Sequence, residues 1–372
     1  MLAIVATLAV IVPVYPAEAA TVFTVYMSAT GSDTRDGLTP ATAVRSLIRV
    51  QQVLVEHGPA TDVEVRVAQG TYVAPPFHTW RFYVPGHTVS FLPIDYEYGE
   101  GISGIAGRPV FRNARTTTGT YPSGFWLQPR LPTDPTHPLY GGGTSGLRFY
   151  YLQVELYSAG GVSIFGDSER DVADERYTPP LRRQGSAGLN GNTFVGMRFA
   201  NLGNKWATGA AFGYGAIVLT NSSGNRVDNS HFSYVENLNP AENLIHGLYI
   251  THFSSDNTVS RNLFTYVSGD PIKVRDRSNV NTIEANTFTR AGRLSFYRDE
   301  FCDTQCARDN DIERQCASYH NRFFDNKLVS DYDGDNSSGT WTLSPPGLTY
   351  AGAAPCAIPA GDVRLRTGGN TA

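Results

Sequence analysis

The sequence predicts an all-β fold, a right-handed parallel β-helix with an N-terminal capping helix. Three observations carry this: a repeat built on asparagine, short apolar segments of period two, and a composition poor in charge and rich in aromatic residues. The repeat is Asn, an apolar residue two positions later, and Phe or Leu seven later. Its copies are Asn192/Phe194/Phe199, Asn225/Val227/Phe232, Asn257/Val259/Phe264, Asn281/Ile283/Phe288 and Asn321/Phe323/Leu328. A second Asn stands five positions on in three copies, at Asn262, Asn286 and Asn326. The copies are 33, 32, 24 and 40 residues apart. The shortest interval fits one solenoid turn, and insertions lengthen the others. A β-propeller blade needs four strands and about 40–50 residues, too many for that interval.

The segments are rich in Val, Ile, Thr and Phe and bounded by Asn, Gly, Ser and Asp. Period two sends their apolar side chains into one core. Asn and Gly accept a left-handed corner, and stacked Asn side chains can bond along the axis. With 41% hydrophobic and only 17% charged residues, the chain is neither a long coiled coil nor disordered. A net charge of -4 lacks the basic excess of a generic nucleic-acid binder, so no nucleic-acid partner is expected.

Along the chain, residues 2–14 are an apolar run followed by Ala17-Glu18-Ala19, which reads as a secretion signal over 1–19. Residues 20–372 then form a single domain. No later run of about 18 apolar residues occurs, so a soluble extracellular monomer without a membrane partner is expected. Val44–His57 reads as the capping helix, with Val44, Leu47, Ile48, Gln51 and Val55 on a face widened by Val50, Val53 and Leu54, and Gly58 as its stop. Val63–Val67 is the expected first strand. Residues Pro75–Asn190, rich in Gly, Pro and aromatics, read as strands such as Gly146–Val154 with long loops that flank a groove. Cys302, Cys306, Cys316 and Cys356 suggest disulfides, with three pairings open, that staple the loop 299–316. Zinc fits their irregular spacing less well. Residues 345–372 are expected to fold back as a tail.

Counting back ten residues from the repeat Asn gives equivalent strands starting at Gly215, Gly247 and Pro271. Their inward pairs are expected to be Ala216/Val218, Leu248/Ile250 and Ile272/Val274. The outward columns are then Ile217/Tyr249/Lys273, Leu219/Thr251/Arg275 and Asn221/Phe253/Arg277, with Tyr214, His246 and Asp270 just before the strands. Chemistry is concentrated in two adjacent coils. There His246, Tyr249 and His252 meet Asp270, Lys273, Arg275, Asp276 and Arg277, with adjacent strands about 4.8 Å apart. Cations beside aromatic rings suit an acidic sugar polymer, because guanidinium forks bind carboxylates. A uronate polymer can be cleaved by β-elimination, which needs a cation at the carboxylate, a base and an acid.

The stretch Tyr26–Leu47 followed by Val63–Tyr72 resembles the beginning of secreted right-handed β-helix proteins of the pectate-lyase-like superfamily. Gly269–Arg298 (GDPIKVRDRSNVNTIEANTFTRAGRLSFYR) resembles the core motif of the alginate lyase and chondroitinase B family of polysaccharide lyases, through Gly269, Asp270, Ser278, Asn281, Asn286, Phe288 and Arg298. The resemblance implies a calcium ligand at Asp270, the catalytic Lys position at Arg277 and the catalytic Arg at Arg298. Ile272 occupies the position of the second calcium-binding Glu, and Lys273 is an alternative base. His246 and Tyr249 are the expected proton relay, with Arg275, His252 and Asp276 as substrate-binding residues. A calcium ion is the one cofactor implied. Asp331, Asp333 and Asp335 form a second, weaker calcium pattern, without the Glu that a twelve-residue loop needs.

The expected function is therefore a lyase on an extracellular acidic polysaccharide. Two alternatives stand beside it. One is a glycoside hydrolase using two of Asp270, Asp276, Asp256 and Glu313. The other is a non-catalytic carbohydrate-binding solenoid.

Overall fold

A computed structural model of the chain describes residues 22–166, 188–303, 305–306, 315–349, 356, 361 and 363–372. The expected signal at 1–19 and Glu313 lie outside the described residues, as do parts of the 299–316 loop and of the 345–372 tail. Among the described residues the strands form three long sheets of ten, eight and eight strands and a two-stranded pair, and all named strands pair in parallel. One coil shows the path. Thr258–Ser260 lies in the first sheet, Leu263–Val267 in the second and Ile272–Arg275 in the third. The chain then returns to the first sheet at Thr282–Glu284, beside Thr258–Ser260. The molecule is a parallel β-helix, and its right-handed sense follows the rule for parallel crossovers.

The repeat asparagines form two ladders along the axis. Asn192, Asn225, Asn257 and Asn281 each donate from Nδ2 to Oδ1 of the next, ending at Asn321, over 2.7–3.1 Å. Asn262, Asn286 and Asn326 do the same, ending at Asn370, over 3.0–3.1 Å. All of these amides but that of the terminal Asn370 are buried, so the ladders satisfy polar groups that would otherwise be costly. Inside, Phe199, Phe232, Phe264 and Phe288 stack with ring centroids 4.7–5.3 Å apart.

The sequence reading needs four corrections here. First, Phe23–Met27 is a strand paired with Val63–Val67, so the first sheet starts before the helix. Second, the helix spans Leu47–His57, capped by Ser46, whose hydroxyl accepts from Arg49 N, and by the left-handed Gly58. It buries Leu47, Val50, Val53 and Leu54, while Ile48 and Val55 face outward. Third, the segment expected to hold long loops beside the strand region Gly146–Val154 has that strand at Leu147–Tyr150 and is otherwise more regular than expected, with Phe77–Trp80, Val89–Pro93, Phe125–Pro129 and Gly160–Phe165 also strands. Those coils lack the repeat Asn. They are held instead by Phe91 and Phe149, stacked 5.0 Å apart and continuing at 5.0 Å onto Phe194 of the first repeat copy, and by Ser145, whose hydroxyl donates to Asn192. Fourth, the disulfides are Cys302–Cys306 and Cys316–Cys356. One closes a short turn and the other ties the loop's end to the tail, so neither spans the loop. Disulfides fit an oxidising compartment. Among the described residues, no helix is long and apolar enough to cross a membrane.

Candidate active site

The third sheet presents the chemistry. Leu248/Ile250 and Ile272/Val274 face the core, and Tyr249 pairs with Lys273, Thr251 with Arg275 and Lys273 with Arg298. The preceding strand departs from the expected register. Val218 pairs with Tyr249, while Ile217 and Leu219 face inward beside Leu248 and Ile250. Eight residues separate Ile217 from Asn225, but nine separate Leu248 from Asn257, so counting back from Asn slips by one. His252 is the extra residue: Asn221 N donates to the carbonyls of both Thr251 and His252. A one-residue slip exchanges the two faces of a strand. The corrected outward column is Val218, Tyr249, Lys273 and Arg298.

Around that column the charges interlock. Glu300 Oε2 lies 2.5 Å from Lys273 Nζ and 2.6 Å from Arg298 Nη2. Arg298 Nη1 is 3.6 Å from Asp270 Oδ2. Arg275 donates from Nη1 to the Tyr249 hydroxyl at 3.3 Å and from Nε to Gln315 at 2.7 Å. Burial pulls the Lys273 ammonium below its ordinary value, against the Glu300 charge, and Arg298 adds to the lowering. Burial would raise the Glu300 carboxyl, but Lys273 and Arg298 outweigh it and hold Glu300 low. The Asp270 carboxyl is raised by burial, partly offset by Lys273 and Arg298. Burial and the Lys273 and Arg298 charges push His246 down to about 3. A neutral His246 donating from Nδ1 to the Asp270 carbonyl at 2.8 Å leaves Nε2 as an acceptor. Its ring centroid lies 5.3 Å from that of Tyr249.

The other expected residues sit elsewhere. The strand ends at Arg275, and Asp276 and Arg277 adopt left-handed φ values of 49° and 54° in the corner. Arg277 is 2% exposed, pairs with Asp276 at 2.9 Å and lies over the Phe253 ring. His252 Nδ1 lies 3.0 Å from Asp276. The expected Asn221/Phe253/Arg277 column is thus a buried corner, not part of the open face. Two residues of the cluster were not among the expected site residues: Glu300, which the sequence places only among the acidic residues of the loop after Arg298, and Gln315. Glu300 was legible, because it stands two positions after Arg298 and shares its face. Gln315 reaches Arg275 from 40 residues away and left no local signal.

Asp270 does not suit calcium. It is 1% exposed, its Oδ1 accepts from Ser295 N and Oγ, and Lys273 and Arg298 face it. Ile272 supplies no oxygen beside it. Among the described residues, no group of three or more His, Cys, Asp or Glu is placed to hold a metal ion. Asp331 likewise uses its carboxylate internally, accepting from Gly334, Asp335, Ser337 and Ser338.

No protein-family model matches the chain, and no curated protein does. Solved structures are similar at low identity, three of them as follows. One is a rhamnogalacturonan lyase, at 14% identity and TM-score 0.40, covering 92% of this chain and 66% of that one. Another is ORF18 of Geobacillus virus E2, at 10% identity and TM-score 0.41, covering 82% and 52%. The third is an alginate lyase from Paenibacillus sp. str. FPU-7, at 12% identity and TM-score 0.38, covering 94% and 99%. The chain therefore spans less than two thirds of the length of the first two.

Proposed function

We propose that the chain is a secreted polysaccharide lyase that cleaves an acidic, uronate-containing polymer by β-elimination. The observation that carries this reading is the carboxylate of Glu300 held between Lys273 and Arg298, with Arg275 beside it on the same face. The outer face already binds a carboxylate with cations from two adjacent strands. A substrate carboxylate taking that place meets Arg298 and Arg275, which neutralise it as its α-proton becomes acidic, while loss of the Glu300 charge favours the neutral amine of Lys273. Lys273, held below its ordinary pKa by burial, is the base that takes this proton. The electron pair forms the new carbon–carbon double bond, the bond to the leaving oxygen breaks, and the Tyr249 hydroxyl protonates that oxygen. His246 is neutral and serves as an acceptor rather than an acid. Asp270 orients Arg298. Arg277 and Asp276, buried as a pair, support the corner instead of touching substrate.

A hydrolase needs two carboxylates facing one groove, about 5–10 Å apart. Asp270 and Asp276 are both buried and engaged with cations or donors, which favours the lyase over it.

The test is ultraviolet absorbance of the purified protein with alginate, chondroitin sulfate, pectate and glucuronan, with calcium and with chelator. The expected result is a rising unsaturated-uronate signal on one of these, insensitive to chelator. A flat trace with new reducing ends overturns elimination in favour of hydrolysis, and a flat trace without new ends favours a binder.

A further inference from the structure

We propose a second saccharide-binding surface, on the outer face of the second sheet, formed by Trp206, Tyr234, Tyr266 and Arg290 and suited to an acidic sugar. It goes beyond the lyase reading and stands or falls separately from it.

The register stacks Asn201, Tyr234, Tyr266 and Arg290 in one column over four consecutive coils. All four have left-handed φ values, 53°, 57°, 55° and 53°. Asn201 suits that conformation, which favours Gly and Asn, whereas two tyrosines and an arginine do not. The same conformation recurs at other corners of the coils, such as Arg261 and Ala285, so it belongs to the coil, and what marks this column is the side chains it carries. These point outward: Tyr234 and Arg290 are exposed and Tyr266 is half-buried. The two tyrosine rings stack 4.9 Å apart at 8°, and Trp206 stands at 71° to Tyr234.

The walls are built rather than incidental. Glu236, with a side chain only 2% exposed, accepts from Lys205 Nζ at 2.6 Å, from Trp206 Nε1 at 2.9 Å and from the Tyr332 hydroxyl. A buried carboxylate of this kind requires its full set of partners. It therefore ties segments 30 and 96 residues away into one frame. The frame encloses a groove of about 320 Å³ between Trp206, Tyr266, Arg290 and Tyr332.

Aromatic walls with a few converging donors are the chemistry of a sugar site, apolar on one side and hydrogen-bonding on the other. The acidic preference comes from Arg290. Its Nη1 donates to the Asp333 carbonyl at 2.7 Å, and among the described residues no carboxylate lies within ion-pair distance of its guanidinium. The neighbouring Asp333 carboxylate faces Arg293 at 3.6 Å. In the same three coils, Tyr234, Tyr266 and Arg290 precede the corner into the third sheet, and Tyr249, Lys273 and Arg298 follow it. Both surfaces thus share one axial level on different faces, which would let one polymer be held beside the cluster.

The test uses the full chain carrying Lys273→Ala and Arg298→Ala, so that no cleavage interferes. Calorimetric titration is run with oligosaccharides of alginate, pectate, chondroitin sulfate and glucuronan, and with a neutral galacto-oligosaccharide. The expected result is binding of an acidic oligosaccharide, with a Trp emission change that Trp206→Phe abolishes. Tyr266→Ala and Arg290→Gln should each weaken it roughly 5- to 10-fold. Arg290 is exposed, so its variant reads binding without loss of the fold. Affinities within twofold in both variants, equal affinity for the neutral sugar, or no binding to any of the acidic ones would overturn the proposal.

Discussion

The strands Gly215–Thr220 and Ile272–Arg275 lie two apart in the same sheet and face the core almost identically. Ile217 and Leu219 in one, and Ile272 and Val274 in the other, are fully buried and share two inward columns. Their outward residues differ completely: Val218 and Thr220 against Lys273 and Arg275. In a strand the two parities are independent, so one repeats for packing while the other changes freely. The frame is common to the coils, and the chemistry is local to Tyr249, Lys273, Arg275, Arg298 and Glu300.

The largest expected effect breaks this contrast at its charged end. Lys273→Ala should lower turnover about 10²–10⁴-fold, the range for a lost general base. Its denaturation midpoint should fall only modestly, because Lys273 is buried but Glu300 keeps Arg298 as its partner. Arg277→Ala should do the reverse. It removes the guanidinium from the buried Asp276, which keeps His252 and Cys316 N, and stability falls by about 3 kcal/mol. Steady-state kinetics and urea unfolding of both variants check this, and a loss of turnover in folded Arg277→Ala would restore Arg277 as the base. Next in size is the shared frame. Asn281 accepts from Asn257 N and Nδ2 and donates to Ser254 O, Ser278 O and Asn321 Oδ1. Asn281→Ala strands several buried groups and should cost about 3 kcal/mol in urea unfolding.

The frame was legible because solenoid turns repeat a physical requirement, and Asn at a corner both bends the chain and bonds to the next turn. Where Phe91, Phe149 and Ser145 do that work instead, the repeat pattern vanished, and of those strands only the region Gly146–Val154 was legible. The charged face was legible in two coils, since Tyr249/Lys273 and Thr251/Arg275 follow from spacing alone. It failed at Val218, where a corner one residue shorter is invisible to a fixed count. It failed again at Arg277, because period two does not continue past Arg275 into a left-handed corner. Gln315 was illegible because long-range contacts leave no trace in local spacing.

Acid stability separates the cluster from the frame by a smaller amount. His246 drops from an ordinary 6.5 to about 3 on folding. Between those values the unfolded chain binds a proton that the folded chain refuses. Stability from this group is therefore fully present above pH 6.5 and lost as pH falls, by about 1.4 kcal/mol per pH unit inside the window. His246→Gln should remove that slope between pH 6.5 and 4.5, measured by urea midpoints. His231, also held low by burial, adds slope of the same sign, while the raised Asp270 and Asp299 act oppositely. Those contributions remain in both proteins, so the difference isolates His246. Equal slopes would mean that His246 ionises freely in the folded state.

The smallest effect tests the boundary between the two kinds of outward residue. Thr251 pairs with Thr220 on one side and Arg275 on the other, and is 3% exposed. Its hydroxyl is buried without a hydrogen-bond partner among the described residues. Such a group pays for desolvation and gains nothing, so the isosteric Thr251→Val should stabilise the fold by about 0.5–1 kcal/mol. Turnover should stay within twofold, because the substitution removes a hydroxyl with no hydrogen-bond partner among the described residues and leaves Arg275 beside it in place. If Thr251→Val instead lowers the urea midpoint, the hydroxyl is bonded in solution. If it raises KM at unchanged stability, the charged face extends one strand nearer to Val218 than Lys273 and Arg275 mark it.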